Sequence, residues 1–126
     1  MSFSRVDRLE THAAAADLSA KQYYIVKLST TDTIDVADSA GVAYGVLQDK
    51  PKSGEHGSVA VTGISRVISD GTTAIAIGDF LKSHTNGKAI KAATDKDRCI
   101  GRAREASSAD GTIIAVDLDF KRDLAA

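Results

Sequence analysis

Short apolar runs, separated at close intervals by turn residues, limit what this chain of 126 residues can fold into. Asp70–Gly71, Asn86–Gly87 and Asp110–Gly111 are the strongest turn signals, because Asn, Asp and Gly tolerate the backbone angles of tight hairpins. The runs between such turns alternate with period two, most cleanly at Thr112–Phe120, where apolar and acidic side chains would face opposite sides. This spacing predicts an all-β fold: a single compact domain of about eight or nine short strands, arranged as a small barrel or a sandwich, with an extended N-terminal arm.

The β domain is predicted to span residues 17–120, between the N-terminal arm (1–16) and a short polar tail (121–126). The arm is polar and rich in alanine, and the period-two pattern begins only within Asp17–Leu28. The aspartate at the start of that stretch is a good N-cap, which predicts one helical turn over Leu18–Gln22 before the first strand. On this interpretation, deletion of the arm leaves the β domain folded.

Three apolar residues of the arm, Phe3, Val6 and Leu9, follow one another at intervals of three. In a helix, this interval would place all three side chains on one face. The alternative is a frayed terminus, which is the usual outcome for an isolated arm. If the arm is ordered, these three side chains are its candidate anchors on a neighbouring molecule.

Composition excludes several classes of protein. The formal net charge is −1, whereas a dedicated nucleic-acid-binding protein needs a concentrated positive field. The lone Cys99 rules out an internal disulfide and any zinc site built on several cysteines. The sequence contains no apolar run of the length that a membrane span or a cleaved signal requires, so we expect a soluble protein that binds neither nucleic acid nor membrane.

No pattern in the sequence indicates catalysis. His12, His56 and His84 lie in arm, loop and turn contexts, and none accompanies a glycine-flanked serine of the kind that hydrolases use. Cys99 lies among small and apolar residues, which predicts a buried core residue rather than a reactive thiolate. We therefore predict that the chain is not an enzyme, and a small hydrolase using His56 or His84 is the least favoured alternative.

The acidic residues do not form a recognisable metal site. Asp117 and Asp119 share one face of a predicted strand, about 7 Å apart, which is more typical of the solvated side of a strand than of a cation site. Asp95 and Asp97 lack the glycine and the distal glutamate of a calcium loop. No metal ion and no other cofactor is predicted.

Arg98, Arg102 and Arg104 could form a basic stripe on one face of a predicted strand. Nearby acidic residues dilute the stripe, and aromatic residues that would stack on bases do not alternate with it. Two interpretations stay open: a solvated or ion-paired edge strand, or a contact with another subunit, since arginine is enriched at interfaces. Arg102 and Arg104 are the candidate contact residues under the second interpretation.

An ordered set of four segments covers most of the chain: Asp17–Leu28, Tyr44–Val67, Ala76–Ala92 and Ile100–Leu118. Within it, a GVLQ strand is followed by a loop that contains proline, a valine-rich strand that ends in TGIS, a GD-L segment and a glycine hairpin. In content and in order, this set resembles the small capsid cement, or head-decoration, proteins of tailed bacteriophages.

The resemblance implies a structural protein of the virion and no enzymatic activity. Proteins of this kind sit on the outer surface of the assembled head, bind at junctions between subunits of the major capsid protein, often as trimers, and hold the shell against packaged DNA. A homo-trimer, made in the host cytoplasm, with the major capsid protein as partner, is therefore expected. The arm would add an extended segment to an exposed strand edge through Phe3, Val6 and Leu9. Arg102 and Arg104 would supply a further contact with the capsid or with a neighbouring copy.

A β module that binds carbohydrate or a host surface is the alternative function. Such a module needs an exposed aromatic platform, and the chain has only three tyrosines for it, Tyr23, Tyr24 and Tyr44. All three lie in predicted strands, where burial is the commoner outcome.

Overall fold

The computed structural model describes residues 5–29, 33–37, 43–71, 74–84, 86–92 and 98–123. Within these residues the chain forms nine strands and no helix, which confirms the predicted all-β fold. None of the described residues belongs to a helix long and apolar enough to cross a membrane. The strands are β1 (Arg5–Ala14), β2 (Ile25–Leu28), β3 (Thr33–Val36), β4 (Ala43–Leu47), β5 (His56–Ile68), β6 (Phe80–Ser83), β7 (Ala89–Lys91), β8 (Arg98–Ala103) and β9 (Ile113–Asp123).

The first five strands close into a barrel. They are hydrogen-bonded in the order β1-β3-β2-β4-β5, and β5 also pairs with β1, which completes the ring. The pairing of β1 with β3 is parallel, and the other strand pairs are antiparallel. From β5 the sheet continues outward through β9, β8, β6 and β7, which we call the extension. The fold therefore combines a small barrel with an added sheet.

Strand β5 joins the barrel to the extension. Its residues 62–64 pair with both β1 and β9, so these two strands lie on opposite edges of β5. Glycine weakens the interior of a strand, yet β5 runs through Gly63 as one strand of 13 residues. Gly63 has a φ of +100°, which glycine adopts without the penalty that a Cβ would bring. The residue thus lies within β5 rather than ending it.

The core consists of two clusters, one inside the barrel and one between the barrel wall and the extension. Successive residues of one strand feed different clusters, for example Ile25 and Val26, or Val59 and Ala60. Val59 is buried, whereas Val61, two residues further along the same strand, is only half-buried. The inner cluster contains Ala14, Leu18, Val26, Ile34, Leu47 and Val59. The outer cluster contains Ile25, Ala37, Val46, Ala60, Val67, Ile75, Leu81, Ala89, Ile100, Ala103, Ile114, Val116 and Leu118.

Residues 5–14 of the predicted arm form β1, so the helical and frayed interpretations are both wrong for these residues. The backbone of β1 pairs with β5 from Arg5 to Ala13, with bulges on either side of Arg8. Val6 packs against the core, while the side chain of Leu9 is 56% exposed, so the two do not share one face. Phe3 lies outside the described residues. The predicted boundary between an arm of residues 1–16 and a β domain that folds without it stays a prediction.

The predicted helical turn over Leu18–Gln22 is replaced by non-helical turns. Asp17 does act as a local cap, since its Oδ1 accepts a hydrogen bond of 3.0 Å from the backbone N–H of Ser19. Leu18, however, is buried, and its N–H donates to the carbonyl of Pro51 at 2.9 Å. The N–H of Leu18 therefore bonds to a distant part of the chain instead of belonging to a helical turn. Strand β2 begins at Ile25 rather than at Tyr23.

The predicted Asn86–Gly87 hairpin is confirmed, because this turn joins the antiparallel pair β6 and β7. Gly87 has a φ of +77°, and its carbonyl accepts a hydrogen bond of 2.8 Å from the N–H of Ile25 in the barrel. The hairpin of the extension therefore rests on the barrel. Gly45 marks a close approach of β4 to β5, since a Cβ there would overlap Val59, and the register between β2 and β4 shifts beside it. Strand β9 continues to Asp123, into the predicted tail.

Candidate contact surface

One row of side chains crosses the outer face of the molecule. Direct cross-strand pairing aligns Arg5, Ile64, Asp117, Arg102 and Phe80 on β1, β5, β9, β8 and β6. Directly paired residues project from the same face of a sheet. The charged members of the row are exposed and its two apolar members are half-buried. The row therefore marks a continuous surface that faces away from the core.

An open groove of about 300 Å³ lies on this surface, at the side of the extension. Its most exposed apolar member is Ile77, whose side chain is 72% exposed. The turn that carries this residue is held against β8, because the N–H of Gly78 donates to the carbonyl of Ala103 at 2.8 Å. The groove is lined by Ile77, Gly78, Arg102, Ala103, Arg104 and Asp117.

The side chain of Arg102 is held in a fixed position within the groove. Its guanidinium carbon lies 5.0 Å from the centre of the Phe80 ring, a cation–π contact, and its Nε donates to the carbonyl of Gly78 at 3.3 Å. Asp117 is its cross-strand partner, yet neither residue takes part in the salt bridges of the described part of the chain. Arg102 thus presents a positioned cation that forms no salt bridge with that neighbour in the described part of the chain.

The two predicted arginines lie together. Arg102 and Arg104 are two residues apart, both are exposed, and both line the groove. The side chain of Arg98, the third member of the predicted stripe, lies outside the described part of the structure. Asp117 and Asp119 are exposed on β9, as predicted for the solvated side of a strand. The groove therefore combines two cations, one carboxylate and an exposed isoleucine.

The residues predicted for the arm do not join this groove. Leu9 lies on the barrel wall, where β1 pairs with the first half of β5, whereas the groove belongs to the extension. Val6 is half-buried and packed against the core, so its side chain contributes to the body of the molecule. The predicted contact residues are thus divided between two regions.

A polar cluster on the barrel was missed by the sequence analysis. His12 is 7% exposed, its Nε2 lies 3.0 Å from Oε1 of Glu10, and the hydroxyl of Tyr44 donates to the same oxygen. The imidazole and phenol rings meet edge to face with their centroids 5.6 Å apart. The hydrogen bond from Tyr44 is the main cause that lowers the pKa of Glu10 below its ordinary value. Because Glu10 and His12 are on β1 and Tyr44 is on β4, the cluster ties these strands together.

The remaining candidate residues fall into ordinary structural positions. His56 is exposed at the start of β5, and His84 is half-buried in the turn after β6. Cys99 is buried, which confirms its prediction as a core residue. The described residues contain no group of three or more His, Cys, Asp or Glu placed to hold a metal ion. Asp95 and Asp97 lie outside the described residues.

The three tyrosines are all half-buried, so they do not form a shared exposed platform. The hydroxyl of Tyr23 accepts a hydrogen bond of 3.4 Å from Arg66, and Lys21 places its ammonium 4.8 Å from the centre of the Tyr24 ring. Each tyrosine is thus engaged with its own neighbours. The geometry gives the carbohydrate-binding alternative no support.

Comparison with known proteins identifies the family. The family model for phage cement proteins matches residues 4–118, and the chain therefore belongs to the phage cement protein family. None of the curated proteins compared with the chain matches it. Among solved structures, the chain is similar to the N base of the head fiber gp8.5 in bacteriophage phi29. The TM-score is 0.72, and the match covers 94% of this chain and 98% of that chain at 18% sequence identity.

These matches confirm the resemblance stated from the sequence. At 18% identity the structural likeness concerns the fold alone, and it extends over nearly all of both chains. The family match supports a structural protein of the phage head. The barrel with its extension is thus a fold that a phage head protein also uses.

Proposed function

We propose that this chain binds the outer surface of the assembled phage head at junctions between major capsid protein subunits and stabilises the head there. The observation that carries the proposal is the groove on the extension, where the positioned Arg102 lies beside the exposed Ile77. Membership of the phage cement protein family supports a location on the head. The function requires no catalytic group.

The groove has the composition of a protein contact rather than of a solvated strand. A large apolar side chain that is 72% exposed loses unfavourable hydration when a partner covers it. Arginine held by an aromatic ring loses little side-chain entropy on binding, and arginine is enriched in interfaces. The combination favours a partner that covers Ile77 and pairs with Arg102 at the same time.

Stabilisation of the head follows from bridging. A trimer would present three equivalent grooves, and each further contact forms at the high effective concentration set by the first. Modest single contacts then give strong total binding. Leu9, exposed on the barrel wall, would supply a second contact on a neighbouring subunit or copy. Phe3, which lies outside the described residues, stays a proposed contact, and Val6 holds β1 in place through its core packing.

The test is binding to heads purified from a phage mutant that lacks this chain. We expect saturable co-sedimentation in a fixed ratio to the major capsid protein, and a higher temperature of DNA release from the decorated heads. Sizing of the free protein measures whether it is a trimer, and antibody access to bound protein measures whether it lies outside. Absence of saturable binding to mature heads would contradict the proposal.

A further inference from the structure

We propose that the groove on the extension recognises a segment of a partner protein that carries one carboxylate next to an apolar side chain. This inference rests on the proposed function, since it specifies the chemistry of the capsid surface that the groove contacts. It names the carboxylate as the partner of Arg102 and the apolar side chain as the partner of Ile77.

Two contacts hold the guanidinium of Arg102. Its central carbon lies over the Phe80 ring, and the carbonyl of Gly78 accepts a hydrogen bond from Nε. Neither contact uses the two terminal nitrogens, and the side chain is exposed in the groove. Two parallel N–H donors in one plane match the two oxygens of a carboxylate, the arrangement of a bidentate pair.

Ile77 lines the same groove as this cation. Its neighbour in the chain, Gly78, lies close to the guanidinium, since a Cβ added at Gly78 would lie 3.7 Å from Nη2 of Arg102. An apolar side chain that covers Ile77 also excludes water from the neighbouring ion pair. Because charge interactions strengthen as water is removed, the apolar contact and the ion pair reinforce each other.

Asp117 limits how much negative charge the groove accepts. Its carboxylate is exposed in the groove and repels a second anion placed near it. A nucleic acid brings a row of phosphates, which suits a broad basic field, whereas this chain has a net charge of −1. A protein segment with a single carboxylate fits the groove better than a polyanion.

Charge reversal at Arg102 tests the inference on heads. We expect Arg102→Glu to weaken head binding by about tenfold or more, and Arg102→Lys to weaken it less, because lysine keeps the charge but loses the planar fork. Lys50→Glu is the matched control, since Lys50 is exposed in the loop before β5 and its reversal also takes the net charge from −1 to −3. Equal binding by Arg102→Glu and Lys50→Glu would overturn the inference.

Chemical treatment of the heads tests the partner group itself. Heads whose surface carboxylates have been converted to amides with a carbodiimide and ethanolamine should lose binding, while heads with acetylated lysines should keep it. Asp117→Asn should tighten binding to untreated heads, because it removes the like charge. Undiminished binding to amidated heads, or weaker binding by Asp117→Asn, would show that the partner does not present a carboxylate here.

A measurement without heads separates this inference from the proposed function. In an NMR titration, N-acetyl-aspartyl-leucinamide should shift the amide signals of Ile77, Gly78 and Arg102, and the matched asparaginyl peptide should shift them much less. The Arg102→Glu variant should show no response to either peptide. Identical responses to the two peptides would overturn the inference even if the protein binds heads. A selective response in a protein that does not bind heads would leave the groove chemistry standing and contradict the head-binding proposal.

Discussion

The barrel and the extension share β5 but bury their residues differently. In the barrel, β2, β4 and β5 send successive residues into two separate core clusters, so both faces of these strands are covered. In the extension, one face of β8 and β9 packs on the core, and the opposite face carries Arg102 and Asp117 to solvent, with Arg104 exposed directly after β8. Stability should therefore depend most on the barrel, and partner binding should depend most on the outer face of the extension.

Removal of residues 1–16 should have the largest effect, because it takes β1 out of the closed barrel. The deletion exposes the edge of β5 that pairs with Arg5–Ala13, and it removes Ala14 from the inner core. We expect a loss of about 5 kcal/mol or more, comparable to the total stability of a small domain. Urea unfolding followed by circular dichroism measures it.

The control for this deletion is a peptide of residues 1–16 added to the truncated chain. It should restore the native spectrum, whereas the same peptide with Ala14→Asp should not. If the truncated chain unfolds cooperatively at the same urea concentration as the full chain, the arm is independent of the body, as the division at residue 16 implies. That result would show that the remaining strands are sufficient for the stability of the barrel.

Substitution of Gly101 tests whether the extension unfolds together with the barrel. Gly101 has a φ of +153°, and a Cβ there would overlap the backbone carbonyl of Asp117 on β9. We expect Gly101→Ala to destabilise the protein by about 3 kcal/mol or more, through strain and separation of β8 from β9. Because the outer core cluster includes residues of both regions, a single unfolding transition should shift as a whole.

Gly54→Ala is the matched control for Gly101→Ala. Gly54 also has a positive φ, +82°, but a Cβ added there meets nothing within 4 Å. Its cost should be limited to backbone strain, about 1 kcal/mol. Two separate transitions in the Gly101→Ala protein, with the barrel unaffected, would mean that the extension folds as an independent unit.

The hydrogen bond from Tyr44 on β4 to Glu10 on β1 should contribute less to stability than β1 or Gly101 does. Tyr44→Phe removes the hydrogen bond to Glu10 and should cost about 1 kcal/mol at neutral pH. Since this hydrogen bond lowers the pKa of Glu10, its stabilisation is present above the ordinary pKa of a glutamate and is lost as the pH falls through the lowered pKa.

Thermal unfolding measured at several pH values tests the contribution of the Tyr44–Glu10 hydrogen bond. The difference between Tyr44→Phe and the unmodified protein should be largest near neutral pH and should shrink in acid. Tyr23→Phe is the control, because the hydroxyl of Tyr23 contacts Arg66 rather than a carboxylate. A Tyr44→Phe difference that does not change with pH would show that the phenol does not act through the charge of Glu10.

The parts of the fold that were predictable depend on local signals. Asn86–Gly87 specifies its hairpin through the backbone angles of its own residues, and the apolar alternation of Thr112–Phe120 specifies most of β9. The strand β1 could not be recognised in this way. Its partner β5 is distant in sequence, and apolar residues at intervals of three imitate a helical face, although Val6 and Leu9 lie on different faces of β1.

The same distinction applies to the candidate groove. Arg102 and Arg104 could be identified because they are two residues apart in one predicted strand, although the observed strand β8 ends at Ala103, one residue before Arg104. Ile77 and Phe80 reach them only through the pairing of β6 with β8, which no local pattern reports. The Glu10–His12–Tyr44 cluster was hidden for a similar reason, since it forms only when β1 is part of the barrel.

The ion pair at the edge of the extension should have the smallest effect. Lys88 places its ammonium 3.0 Å from the carboxylate of Asp110, whose side chain is 64% exposed. We expect Lys88→Met to change stability by less than about 1 kcal/mol at neutral pH, because solvent screens such pairs. The hydrogen bond to Asp110 raises the pKa of Lys88, so its stabilisation is present at and below the ordinary lysine pKa and is lost as the pH rises through the raised value.

Asp110→Asn should reproduce this small loss of stability in thermal unfolding, and head binding should be unchanged in both variants. A loss of head binding in either variant would show that the partner contacts the Asn86–Lys88 turn instead of the groove. Binding would then not depend mainly on the outer face of β8 and β9.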